Sequence, residues 1–293
     1  MPAMSRWGRG LLIGLPFVWL AVFFLLPLAI VAGISLAEGA DAIPPYLPLV
    51  GRGPSGVEAH VTLANYRTLL EGCLRAYWAS LGTAALATAI CLLFGCPLAF
   101  AIARAPGAWR HLLLFFVLLP FWTSLLIRVY AWIALLQPTG LINKVLLGLG
   151  VIERPLVLLN NFFAVEIGLV YSYLPFMILP LYGALSQLQE SLVEAAADLG
   201  ARPWRVFLGV VLPLSLPGIA AGCLLVFIPA IGEFVIPDLL GGPTTLMVGK
   251  VLWQEFFDSV DWPEAATIAI VLVFVLTVPL LLAQRVLERG RPA

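Results

Sequence analysis

Glu233 stands out chemically: it is a carboxylate at the end of a long apolar run, with Pro229, Gly232 and Pro237 around it. A carboxylate at membrane depth is costly and usually faces a cavity or a cation. Proline and glycine nearby break a helix, and broken helices at that depth line transport paths because their loosened backbone groups need polar company. Glu233 can therefore line a path; it can also pair with Arg128 or cap a helix end at the interface. Asp238 follows beside the Gly241-Gly242-Pro243 turn, either completing an acidic patch or simply solvated. Trp253, Phe256 and Phe257 fall on a short helix beyond that turn, with Glu255 and Asp258. Aromatic faces beside carboxylates suit an organic polycation, through cation–π contact and ion pairing. An aromatic belt at the membrane interface is the competing reading, strongest for Trp253. Arg128 is the odd residue for a cation path: it can snorkel to the headgroups, hold Glu233 or another acid by a salt bridge, or take part in substrate choice. Glu166 opens an apolar run and reads as an interface residue rather than a ligand.

Other chemistry is missing its parts. The four cysteines form no CxxC, and His60 and His111 are the only histidines, so no metal site of ordinary composition can be assembled. Intramembrane catalysis needs paired aspartates in the spans, a GxSxG with a histidine, or HExxH, and none is present. A phosphate-binding Walker loop needs GxxxxGK[ST]; Gly249-Lys250 is followed by Val251, and Thr244 stands where the first glycine belongs. The chain therefore carries no Walker-type ATPase site of its own.

The elements that would position these residues are membrane helices. Of 293 residues, 62% are hydrophobic and 11% charged, against about half and a quarter in soluble domains. A mean hydropathy of +1.04 agrees. That balance excludes disorder, a nucleic-acid-binding surface and an ordinary soluble enzyme. Runs free of charge predict an all-α polytopic membrane protein with six spans near 12–36, 79–102, 112–135, 166–186, 213–236 and 265–285. The first run is far longer than the apolar region of a secretory signal, although Ala40-Asp41-Ala42 resembles a cleavage site. One membrane domain covers 1–293, with no fixed-period repeat. Basic residues set the orientation. The N-terminus, 103–111, 187–212 and the C-terminus hold nine of them, including Arg6, Arg9, Arg289 and Arg291, with four acids; the other side holds seven, with twelve acids. Both termini are then cytoplasmic.

The cytoplasmic loop 187–212 is the most informative segment. Ser191 and Glu194 fit a capping box, Ala195-Ala196-Ala197 favour a helix, Gly200 is a natural stop and Pro203 suits the start of a second helix. The expectation is a helix, a tight turn and another helix outside the bilayer. Leu192, Val193, Leu199, Trp204, Val206 and Phe207 would be exposed there for a partner's groove.

Glu194-Ala195-Ala196, three residues, Gly200, nine residues, Val210, one residue and Leu212-Pro213 resemble the EAA loop of binding-protein-dependent ABC importer permeases, with valine where the family pattern has isoleucine. Gly95–Arg104, Leu119–Ser124 with Arg128–Trp132, Gly232–Pro243 and Val251–Phe257 are similar to the spermidine/putrescine permease branch. The resemblance implies the type I ABC importer permease fold and a bacterial inner-membrane location. It implies that Glu194, Ala195, Ala196, Gly200, Leu212 and Pro213 couple the chain to an ATPase; the residue chemistry above offers Glu233, Asp238, Trp253, Glu255, Phe256 and Arg128 as candidates for the substrate path. It also implies a heterodimer with a sister permease, two ATPase subunits that bind ATP and magnesium, a periplasmic binding protein, and a polyamine as cargo. The alternative is the same architecture importing an opine or another amine. A secondary transporter, with more spans and internal repeats, would leave the EAA loop unexplained.

Overall fold

The computed structural model describes residues 14–53, 56–243 and 245–289. Helix α1 (Gly14–Ser35) leads into a hairpin of β1 (Val50–Gly53) and β2 (Gly56–Ala59), then α2 (Ala64–Gly72). Next come α3 (Leu74–Arg104), α4 (Gly107–Leu118), α5 (Leu125–Leu136), α6 (Leu141–Gly148) and α7 (Phe162–Ser186). Helix α8 (Glu190–Asp198) precedes α9 (Pro203–Ile231), α10 (Val235–Leu240), α11 (Val248–Trp253) and α12 (Trp262–Arg289). Among the described residues six helical stretches are long and apolar enough to cross a membrane: α1, α3, α5 with α6, α7, α9 and the first part of α12. Residues 12 and 13 of the first expected span, and Arg6, Arg9 and Arg291 of the charge pattern, lie outside the described residues.

The chain, expected as one membrane domain, folds into two compact units. Among the described residues, one unit holds those up to Leu74 together with Leu252–Phe274, and the other holds those between Arg75 and Val251 and those from Val275 to Arg289. In the first unit the segment after α1 is folded. Val50 lies opposite Ala59 and Gly51 opposite Glu58. The Asn65 side chain donates to the carbonyls of Ser35 (3.1 Å) and Ala37 (3.0 Å), tying α2 to the end of α1. Thr267 Oγ1 on α12 donates to the Ser35 carbonyl as well (3.2 Å).

Cys73, at the end of α2, sits in a polar stretch of the sequence and is nevertheless buried. It is 8% exposed. Burial pushes its thiol above the ordinary range, and the nearby Glu264 and Glu255 carboxylates push the same way. The thiolate is the reactive form, so a raised pKa lowers its fraction at neutral pH. A membrane-impermeant maleimide should therefore label Cys73 at least about tenfold more slowly than a cysteine placed at the fully exposed Ile43. The Cys73 rate should still climb with pH after the Ile43→Cys rate has levelled off. Equal rates at pH 7 would show that this corner of the unit opens.

In the second unit α7 and α9 form the closest helix pair. Gly218 and Gly222, four residues apart, let the backbones approach: a Cβ on Gly218 would sit 2.8 Å from the Pro180 carbonyl oxygen, and one on Gly222 2.8 Å from Met177 Sδ. Small residues at this spacing are how membrane helices gain van der Waals contact without a hydrophobic driving force. Around the pair lie Cys91, Ala99 and Ile102 of α3 and Ile178, Leu181 and Val226. A second cluster joins Val129 and Leu136 of α5, Leu169 of α7, and Ile236 and Leu240 of α10.

Two span boundaries differ from expectation. The third span, expected as one helix over 112–135, is interrupted. Pro120 lacks an N–H, the chain tightens into a 3₁₀ turn over Leu119–Trp122, and Thr123 and Ser124 are extended before α5 begins. The stretch long and apolar enough to span is instead Leu125–Gly148, and Arg128 lies in the first turn of its leading helix. The fifth span begins at Pro203, inside the loop, and stops at Ile231 rather than 236.

Candidate functional site

Two local arrangements in the second unit carry the functional interest. The first is the 187–212 loop. Helix α8 ends on Gly200, whose φ is +79°. The Gly200 N–H donates to the Ala197 carbonyl (2.8 Å) and the Ala201 N–H to the Ala196 carbonyl (3.2 Å). These are the paired bonds of a Schellman turn, which needs a left-handed residue where glycine meets no Cβ penalty. Pro203 then opens α9, as expected.

Two expectations for this loop fail. Ser191 does not cap α8: the N-cap is Gln189, with no side-chain cap bond, because the helix starts before Ser191 and leaves its hydroxyl inside the first turn. The second helix is not a separate piece. It continues through a widened π turn at Phe207–Val211 into Leu212–Ile231, so Leu212 and Pro213 lie within the fifth span. The π turn just ahead of Pro213 accommodates the missing N–H and ring clash that proline brings to a helix. Of the apolar loop residues, Leu192, Leu199 and Trp204 are exposed, Leu199 by 89%. Val206 is buried, and Val193 and Phe207 pack on the α7–α9 core.

The second arrangement is the break after α9. The helix stops at Ile231, and α10 restarts at Val235. Glu233 fills the gap: its Oε1 accepts from the Phe234 N–H (3.1 Å) and the Val235 N–H (3.0 Å), capping α10. Its Oε2 accepts from the Tyr173 hydroxyl of α7 at 2.5 Å. Both oxygens are engaged within the chain, an arrangement between the path-lining and capping alternatives. The backbone of α11 presses on the break, since a Cβ on Gly249 would lie 2.7 Å from the Glu233 carbonyl oxygen. Ser80 Oγ of α3 accepts from the Val248 N–H (2.7 Å) and holds α11 there.

Arg128 does not pair with Glu233: among the described residues no ion pair within 4 Å joins them. The guanidinium is half-buried, and its Nε and Nη1 find no hydrogen-bond partner. Asp238 does not extend an acidic patch towards Glu233. It pairs with Lys250 Nζ at 3.2 Å, and that lysine also donates to the Gly242 carbonyl (3.4 Å). The sequence offered Tyr173, with Tyr130, Trp132 and Tyr171, only as a path or belt aromatic, and it gave no sign of the Tyr173–Glu233 and Lys250–Asp238 pairings, whose partners lie too far apart in the chain for a local signal.

Trp253, Glu255 and Phe256 belong to the first unit. A π turn, Gln254–Asp258, follows α11 and gathers the rings. The Trp253 and Phe257 centroids are 4.1 Å apart, and Phe256 stacks on Trp262 at 5.2 Å with the planes 6° apart. One face of Phe256 is thus taken by another ring. Glu166 also differs from its reading as an interface residue: it is buried on α7.

Six apolar spans, a broken helix holding a carboxylate, and an exposed helix and tight turn between the fourth and fifth spans define a multi-pass transport permease. The family described as "binding-protein-dependent transport system inner membrane component" matches residues 95–291. The chain belongs to that family. It is 43% identical to the spermidine/putrescine transport system permease protein PotB of Haemophilus influenzae, over 87% of this chain and 85% of the relative. It is 41% identical to the Escherichia coli protein of the same name, over 91% and 93%. Among solved structures, a bacterial alginate ABC transporter in complex with its pentasaccharide-bound periplasmic protein superposes with a TM-score of 0.68 at 18% identity, over 97% of this chain and 94% of that chain. The fold is the type I ABC importer permease fold.

Proposed function

We propose that this chain is the membrane permease subunit of an ABC importer that takes up a polyamine of the spermidine/putrescine type. The observation that carries the reading is 41–43% identity, over most of both chains, to permeases named for that transport. In this reading the protein sits in the bacterial inner membrane with both termini in the cytoplasm, beside a sister permease. A periplasmic binding protein delivers the cargo, and two ATPase subunits hold the ATP and magnesium. The ATPase docks on α8 and the turn after it, where Glu194, Ala195, Ala196 and Gly200 stand beside the exposed Leu199 and Trp204. Because α9 is one continuous helical stretch from Pro203 through Leu212 and Pro213 to Ile231, movement at the turn is passed along it to the break at Glu233. Helix α9 thus links the docking loop to the path mechanically.

The test is ATP hydrolysis by the complete complex with its binding protein, screened over amines. Spermidine or putrescine should stimulate turnover several-fold over the unloaded complex. Stimulation by an opine or another solute, with no response to either polyamine, would overturn the cargo and leave the architecture standing.

A further inference from the structure

Helix α7 carries a carboxylate that no described residue answers. Glu166 is 6% exposed, and neither Oε1 nor Oε2 has a hydrogen-bond partner. It lines a cavity of about 550 Å³ whose walls include Phe94 of α3, Trp132 of α5, and Phe162, Phe163 and Tyr171 of α7. The Trp132 and Tyr171 rings meet edge to face, 5.5 Å between centroids. No basic side chain lines the cavity.

A buried ionised carboxylate with no partner is expensive; it takes up a proton or is met by a cation or donor, and the ring-lined cavity beside Glu166 has room for the cation. The walls say which cation. A divalent metal wants several oxygen ligands, and no cluster of three or more ligating side chains exists among the described residues. A neutral apolar ligand leaves the carboxylate unpaired, and an anion is repelled. An alkylammonium satisfies every wall: its N–H groups donate to the carboxylate, its charge lies against ring faces, and its methylenes fill the apolar remainder. The volume falls within the range of small-molecule sites.

We propose that the cavity around Glu166 is an alkylammonium-binding site. It is distinct from the Glu233 break, because Glu166 precedes Tyr173 by seven residues, about two helical turns along α7. The site calls for an ammonium group whatever the cargo, so it stands apart from the polyamine reading. Two sources share this chemistry: a free alkylamine and the ammonium headgroup of phosphatidylethanolamine.

The experiment uses the assembled complex in nanodiscs made from phosphatidylglycerol alone or with phosphatidylethanolamine added, and labelled butylammonium as the probe. In phosphatidylglycerol, Glu166→Gln should weaken butylammonium binding about tenfold or more, the loss expected when a charge-assisted bond becomes neutral. Glu166→Asp should weaken it less, and subunit composition should be unchanged in both. Loss of wild-type binding on adding phosphatidylethanolamine assigns the site to the headgroup; retention assigns it to a free amine. Two results overturn the proposal. One is equal or undetectable binding in wild type and Glu166→Gln. The other is release of a neighbouring subunit by Glu166→Gln, which would mean that a basic side chain of that subunit meets the carboxylate. A complex that binds butylammonium through Glu166 and imports no polyamine would sink the proposed cargo and leave this site intact.

Discussion

Substituting valine for Gly200 should cut substrate uptake about tenfold, while Gly200→Asn stays within about twofold of wild type. The contrast follows from backbone geometry. At φ +79° an L-residue pays roughly 1–2 kcal/mol, most for a β-branched side chain and least for asparagine, which tolerates the left-handed region. The space around the position is empty, with no heavy atom within 4 Å of an added Cβ apart from the glycine's immediate surroundings. Steric clash inside the chain therefore cannot explain a loss; only the turn conformation can. Opening the Schellman bonds at Ala196 and Ala197 swings α8, with its exposed Leu192 and Leu199, away from the start of α9. Uptake and ATPase co-purification measured together read the outcome. Valine and asparagine variants with equal, normal values for both would remove the loop from the coupling role.

The second large effect is expected at Glu233. Glu233→Gln and Tyr173→Phe should each lower uptake about tenfold, and the double variant should be no worse than the weaker single. The 2.5 Å bond between the two side chains ties the break to α7, and hydrogen bonds to charged groups are worth about 1.5–3 kcal/mol. Glutamine can still cap Phe234 and Val235 through its carbonyl oxygen, so α10 survives and the complex should assemble normally. Glu233→Ala removes the cap as well and should also reduce the yield of complex. Arg128→Gln should not recover the uptake lost in Glu233→Gln, because no ion pair within 4 Å links them. A double-variant cycle decides between the readings. Additive losses from Glu233→Gln and Tyr173→Phe would mean that the bond does not hold the break. Recovery of uptake in the Arg128→Gln, Glu233→Gln double variant would restore the ion-pair reading that the geometry rejects.

The legibility of this chain divides along a physical line. Membrane insertion depends on summed transfer free energy along a helix, so the six spans follow from composition and can be counted from the sequence. The Gly200 turn was equally legible, since a left-handed helix stop is set by one residue's own sterics. The same holds for the break near Glu233, where Gly232 and two prolines act on the backbone locally. Where local signals competed, reading failed. The Ser191 box lost to an earlier helix start at Gln189, and Pro120 split what hydropathy alone joined over 112–135. The long-range pairings were not legible. Tyr173 meets Glu233, Lys250 meets Asp238, and Gly249 seats α11 on the break, each through the packing of segments with no periodic relation in the chain. Burial of Glu166 belongs to the same class: a glutamate at the start of an apolar run looks the same in one dimension whether it faces headgroups or a ring-lined cavity. Only the approach of α3 and α5 to α7 encloses it, and that approach is decided by side-chain volumes and close glycine contacts in three dimensions.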